Sequence, residues 1–340
     1  MKEVVYLKKI MNDATQIVTE MVDGMALSYP EYVKRLDDLL VLVRSQEESM
    51  TNKVGLITGG GTGHEPASAG YIGEGMLSAV VCGQIFSSPT PDQILAAIQT
   101  ADHGKGVFMI IMNYSGDIMN FDMAREMAVM DDIDVRFIVV DDDIAVEDST
   151  YTQGRRGVAG TVLMEKILGA AADSGASLSE IEALAKQVLP NLKTIGVALS
   201  AATVPEVGKP GFTLAEDEVE YGVGIHSEPG YRREEMQPSA KLAEELLARL
   251  NDEFNFTPED HYAVLVNGMG ATPLMEQFVF MRDVLNQLAD FGVQADFTKV
   301  GNFMTSLDMA GVSLTLLKLR EDQWLKQLNY PVNTIAMVRK

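Results

Sequence analysis

Val54-Gly55-Leu56-Ile57-Thr58-Gly59-Gly60-Gly61-Thr62-Gly63-His64-Glu65-Pro66 begins as an unbroken apolar run of strand length and ends in a glycine-rich turn that carries a histidine. A short apolar run closed by turn residues is the pattern of a strand buried on both faces. Leu77 to Cys82, Val107 to Ile111 and Phe137 to Val140 repeat it, with helical segments between them near Pro91 to Thr100, Phe121 to Met130 and Gly160 to Ala172. This alternation predicts an α/β fold with a largely parallel sheet, because a parallel partner strand is reached only through a crossover.

The pattern extends in both directions. Asn12 to Ser28 places Ile17, Val18, Met21 and Met25 at helical spacing and stops before Pro30, as an amphipathic helix would. Ser177 to Leu189 reads as a helix opened by a capping box, Ser177 with Glu180 three residues on, and closed by Pro190. Strands then follow at Ile195 to Leu199, Val219 to Ile225, Ala263 to Val266, Ala295 to Val300 and Val312 to Leu319, with helices from Ala240 to Leu250 and Leu274 to Phe291. For 340 residues the expectation is two α/β domains with largely parallel or mixed sheets flanked by helices, residues 1–190 and 191–340, divided near Pro190.

Composition narrows the partners. The 49 acidic residues outnumber 27 basic ones for a formal charge of -22, which repels nucleic acid and anionic membrane. Acidic clusters such as Glu180 to Glu182 and Glu244-Glu245 lie on helix faces and read as solvated surface. Cys82 is the single cysteine, so no internal disulfide and no cysteine-based metal site is possible; its apolar strand makes it a core residue and fits a reducing compartment. No run approaches the roughly 18 apolar residues of a membrane span, and Met1 to Lys9 is not followed by a signal-type apolar run, so a cytoplasmic location is expected.

Chemistry concentrates after the strands. His64 stands where an open α/β sheet binds ligands, at the carboxyl end of a strand, beside glycines whose amides can face a ligand. The loop lacks the Gly-Lys-Ser/Thr ending of a nucleotide loop and the glycine spacing of a dinucleotide fold. Asp117, in Asn113-Tyr114-Ser115-Gly116-Asp117, follows the next strand and can share that crevice as an acid/base partner, or simply cap a helix starting near Met119. Ser88 can offer a hydroxyl to a ligand, while Thr90 and Pro91 suit a helix start. Asp141-Asp142-Asp143 reads as turn or cap residues rather than as a metal cluster, and His103 and His261 as surface residues. Arg155 and Arg156 can meet phosphate or pair with the excess acid. His226, in Tyr221-Gly222-Val223-Gly224-Ile225-His226-Ser227-Glu228-Pro229-Gly230, is an imidazole on glycine-rich backbone at the end of a strand pattern; it is either a structural residue or a nucleophile toward a small carbonyl compound.

In order from about residue 10 onward, Gly-Gly-Gly-Thr-Gly-His-Glu-Pro, Ser-Ser-Pro-Thr-Pro-Asp-Gln, Asn-Tyr-Ser-Gly-Asp, Thr-Gln-Gly-Arg-Arg-Gly-Val-Ala-Gly, Thr-Val-Pro-Glu-Val-Gly-Lys-Pro, Gly-Ile-His-Ser-Glu-Pro-Gly and Asn-Gly-Met-Gly-Ala-Thr-Pro-Leu closely resemble the K subunit of dihydroxyacetone kinase. The resemblance implies that His226 holds dihydroxyacetone covalently as a hemiaminal. It implies that the Gly61 to Gly63 loop and Asp117 hold the hydroxyls, with Ser88 beside them, and that His64 and Asp117 form the acid/base pair of phosphoryl transfer. No metal is expected in this chain. ADP or ATP and Mg belong, by the same resemblance, to a separate all-helical L subunit rephosphorylated by an M subunit of the phosphotransferase system. A homodimer is likewise implied. Covalent capture by neutral imidazole selects ketones over glycerol, which has no carbonyl, and fixes a hydroxyl for in-line attack.

Two positions depart from the family pattern. Met112 stands where many relatives carry Lys, and Ser227 where Gly is usual. They motivate two alternatives: a non-catalytic, dihydroxyacetone-sensing coactivator that binds a transcriptional regulator, and a kinase subunit for a related ketose such as erythrulose.

Overall fold

The computed structural model describes residues 7–46 and 50–340. Its first sheet runs in the order β1 (Val33–Arg35), β2 (Val41–Arg44), β5 (Ala79–Ile85), β3 (Gly55–Thr62), β6 (Val107–Met112), β7 (Val135–Val140), with β4 (Gly73–Glu74) outside it. β5, β3, β6 and β7 are parallel, while β1 and β2 form an antiparallel edge. Alternate residues serve two cores, as the two-residue period of a strand requires. Ile57, Val81 and Met109 pack under α2 (Pro91–Ala101) and α3 (Ser115–Met130). Leu56, Val80 and Phe108 face α4 (Thr161–Asp173) and α5 (Leu178–Val188). Cys82 is buried on that second face, where burial pushes its thiol up to about 12.

The second sheet contains β8 (Leu192–Ala198), β9 (Glu218–Tyr221), β10 (Arg232–Glu235), β11 (His261–Gly268), β12 (Gln294–Gly301) and β13 (Gly311–Lys318), ordered β10-β9-β8-β13-β11-β12. It is mixed. Only β11 and β12, joined by the crossover helix α7 (Leu274–Asp290), are parallel; β13 inserts antiparallel between β8 and β11. α7 and α6 (Ser239–Phe254) cover one face. Ala263, Leu265, Phe297 and Leu317 on the other face join the core of the first sheet, so one apolar layer runs between the two sheets. The C-terminal segment returns to the first half: β14 (Val332–Thr334) pairs with β4.

Several boundaries differ from the sequence expectation for local reasons. The first helix, α1 (Ile17–Ser28), begins late because the Asp13 carboxylate accepts from the Thr15 amide at 2.8 Å and holds a turn there. β9 stops at Tyr221 because Gly222 has φ 79, outside the extended region. α3 begins at Ser115, which makes Asp117 a first-turn residue rather than a cap. The capping box of α5 is formed as expected, with Glu180 N–H on Ser177 Oγ and Ser177 N–H on the Glu180 carboxylate. Among the described residues no helix is long and apolar enough to cross a membrane.

Candidate functional site

β3 and β6 are adjacent and parallel, so their carboxyl ends emerge side by side and deliver the glycine loop and the first turn of α3 to one crevice. The loop must lie flat against its neighbour: a Cβ on Gly61 would sit 2.6 Å from the Ser87 amide nitrogen. The opposite wall comes from the loop after β9, which carries His226. The segment between β12 and β13 ties the walls together. Thr305 N–H donates to the His64 carbonyl at 3.0 Å, Leu307 N–H donates to the Gly63 carbonyl at 2.7 Å, and Ser306 Oγ donates to the Ile225 carbonyl. Between the walls lies a cleft of about 410 Å³ lined by Gly61, Phe86, Ser88, Tyr114, Asp117 and His226, among others.

The two histidines meet. Their Nε2 atoms are 3.1 Å apart. His64 Nδ1 lies 2.8 Å from the Thr305 carbonyl oxygen, which can only accept, so the His64 proton sits on Nδ1 and its Nε2 bears a lone pair. His226 is framed edge-on by Tyr114 and Phe86, with ring centroids 4.5 and 5.0 Å away, while His64 stacks on Phe86 at 5.1 Å. Phe86 reaches this place from a left-handed backbone at φ 56.

Electrostatics separate the roles. Burial, and then the charge of His226, push His64 down to about 3, so His64 is a neutral imidazole near pH 7. Burial raises the Asp117 carboxyl to about 6 against the opposing Ser88 hydrogen bond and the His226 charge, and Asp117 Oδ1 is buried without a hydrogen-bond partner. A base tuned near neutrality with a free oxygen in a cleft is suited to taking a proton from a ligand hydroxyl.

The structure therefore brings Gly61, Ser88, Asp117 and His226 to one cleft, sets buried His64 against the His226 ring, and does not bring Gly63 to the cleft. The Gly63 amide is spent on the Glu65 carboxylate at 3.1 Å. Met112 is buried and lines a cavity of about 20 Å³ with Gly60, His64 and Cys82. Ser227 has φ 64, a left-handed conformation, which is why glycine suits the position. Arg155 and Arg156 pair with acid. Arg155 meets Glu147 and Glu253 at 2.7 and 2.9 Å, and fully buried Arg156 holds Asp143 at 2.7 Å and the Gly222 carbonyl at 2.7 Å. Asp142 accepts from the Val158 and Gly160 amides at 2.8 Å, the turn role expected of it. His261 is the first residue of β11, paired with Asp296 at 2.7 Å. Among the described residues no group of three or more His, Cys, Asp or Glu could hold a metal ion.

Sequence reading missed Glu228 and Thr305. Glu228 was within sight, an acid two residues past His226 in the same motif. Thr305, 241 residues from His64, carries no signal in the sequence.

A family model described as the Dak1 domain matches residues 23–336. The chain belongs to the Dak1 family. It is 61% identical over 329 residues to the dihydroxyacetone-binding subunit DhaK of the PTS-dependent dihydroxyacetone kinase of Lactococcus lactis, covering 97% of this chain and 98% of that one. Among solved structures it resembles the dihydroxyacetone kinase operon co-activator DhaQ, with a TM-score of 0.88, 44% identity, and coverage of 94% and 98%. It also resembles the C. freundii dihydroxyacetone kinase solved with AMP-PNP and Mg2+, with a TM-score of 0.86 and 33% identity; there 98% of this chain matches 61% of the longer one. The expected α/β fold class and the family resemblance both hold.

Proposed function

We propose that this chain is the dihydroxyacetone-binding subunit of a phosphotransferase-dependent kinase. His226 Nε2 adds to the ketone carbon, the carbonyl π pair moves to oxygen, and His64 relays the proton between the two rings to that oxygen to give the hemiaminal hydroxyl. Asp117 then accepts the proton of a terminal hydroxyl as it attacks the phosphoryl group in line. The observation that carries this reading is the pair of facing Nε2 atoms, 3.1 Å apart at the wall of the cleft that holds Asp117.

In this reading residues 1–190 supply the acid/base pair and residues 191–340 the covalent histidine. The nucleotide and its Mg belong to a separate L subunit, which an M subunit of the phosphotransferase system recharges, and the chain works as a cytoplasmic homodimer. Incubation with an L subunit, its phosphoryl donor and dihydroxyacetone tests the proposal. Dihydroxyacetone phosphate should form with the wild type and not with His226→Ala. A second reading, the ligand-sensing coactivator, is favoured by Met112, which places a thioether where many relatives hold an ammonium. It predicts ligand binding without turnover in that assay, together with ligand-dependent binding to a transcriptional regulator.

A further inference from the structure

Glu228 is a fully buried acid that the reading above leaves without a task. One carboxylate oxygen accepts the His226 amide N–H at 2.8 Å; the other lies 3.4 Å from His226 Nδ1. The backbone is shaped around it: a Cβ on Gly224 would fall 2.0 Å from Glu228 Oε2 and 2.6 Å from Arg156 Nη1. Burial alone would keep this group protonated, but hydrogen bonding from His226 and the charges of His226 and Arg156 hold it down at about 2, so it is an anion. An anionic carboxylate only accepts. His226 must therefore present Nδ1–H to Glu228, which leaves Nε2, the atom facing His64 and the cleft, as its remaining nitrogen.

We propose that Glu228 is the positioning residue that makes His226 a nucleophile at Nε2, and that it carries the countercharge of a cationic adduct. The proton count supports this. Before capture one proton lies between the two Nε2 atoms, because two lone pairs 3.1 Å apart would otherwise repel. On capture that proton passes to His64 Nε2 and frees the His226 Nε2 lone pair, a bond forms between Nε2 and the ketone carbon, the carbonyl π pair moves to oxygen, and His64 delivers the proton to the new hydroxyl. His226 then holds carbon on Nε2 and hydrogen on Nδ1. The adduct is an imidazolium paired with the Glu228 carboxylate, and no proton is released to solvent. Asp143 neutralises Arg156 from behind, through a 2.7 Å contact, and so limits how far that guanidinium offsets the Glu228 charge.

The inference rests on the covalent reading, and the experiment separates the two. Glu228→Gln replaces the anion with a neutral amide that neither holds the proton on Nδ1 nor balances the charge of the adduct, so attack through Nε2 is disfavoured. Partners that orient a metal-ligating imidazole are typically worth about 10–100-fold, and the apparent affinity for dihydroxyacetone should weaken by a comparable factor while a thermal melt still shows a folded protein. Imidazole 15N NMR of the wild type supplies a readout that needs no variant and that a merely structural role would not move: Nδ1 should be protonated both free and in the adduct. Undiminished adduct formation in Glu228→Gln, or an adduct in the wild type with bare Nδ1, overturns this proposal alone. No adduct in the wild type overturns both.

Discussion

Asp117→Asn should stabilise the protein while abolishing phosphoryl transfer. The Asp117 carboxyl is raised from 3.8 to about 6 chiefly by burial, so its charged form is penalised in the folded state. Below about pH 3.8 folded and unfolded chains both keep the proton and no penalty exists. Between 3.8 and about 6 the unfolded chain releases a proton that the folded chain retains, so stability falls as pH rises; above about 6 the penalty is complete. At about 1.4 kcal/mol per pH unit the full penalty is about 3 kcal/mol. Asparagine carries none of it. At the roughly 2 cal/mol/K per residue of unfolding entropy typical near the midpoint, a 340-residue chain should melt about 4 °C higher at pH 8, and the gain should fall to about half at pH 5. Calorimetry of both proteins at the two pH values measures this directly. A variant that melts at or below the wild type at pH 8 would refute the reasoning, because Asp117 would then be held as an anion by the fold rather than strained by it.

Three further outcomes follow from the same geometry. In the coupled assay the transfer rate should drop as pH falls through about 6, because Asp117 loses its ability to accept a proton; a rate that stays flat down to pH 5 would remove Asp117 as the base. Ser227→Gly should raise unfolding free energy by about 1 kcal/mol, since φ 64 costs a side chain what it does not cost glycine, and should leave adduct formation intact. Arg156→Met should cost about 3–5 kcal/mol in denaturant unfolding by leaving Asp143 buried without its partner, whereas truncating the exposed Lys241–Glu244 pair should change little.

The first sheet was legible because each of its parallel strands is buried on both faces, and a run such as Val107 to Ile111 can be little else at that length. The same property hid the arrangement of the second sheet: β13 is apolar throughout, and nothing in such a run distinguishes a parallel neighbour from the antiparallel ones it has. Strand and helix ends were set by single residues whose effect is conformational, Gly222 closing β9 and Asp13 delaying α1. At the site, His64, Asp117 and His226 announced themselves through motif chemistry. Their mutual orientation did not, because it depends on Thr305, Ser306 and Leu307, which reach back from between β12 and β13 to both walls. Glu228 was visible beside His226, but its meaning required knowing that it is buried and faces Nδ1.

The central claim is that His226 captures the ketone by addition. Intact mass after incubation with dihydroxyacetone, under conditions that preserve the adduct, tests it most directly. Addition loses nothing, so the wild type should gain the mass of one complete dihydroxyacetone, and His226→Ala should gain none. A gain reduced by one water, as an imine on a lysine would give, or an adduct that persists in His226→Ala, would contradict the account.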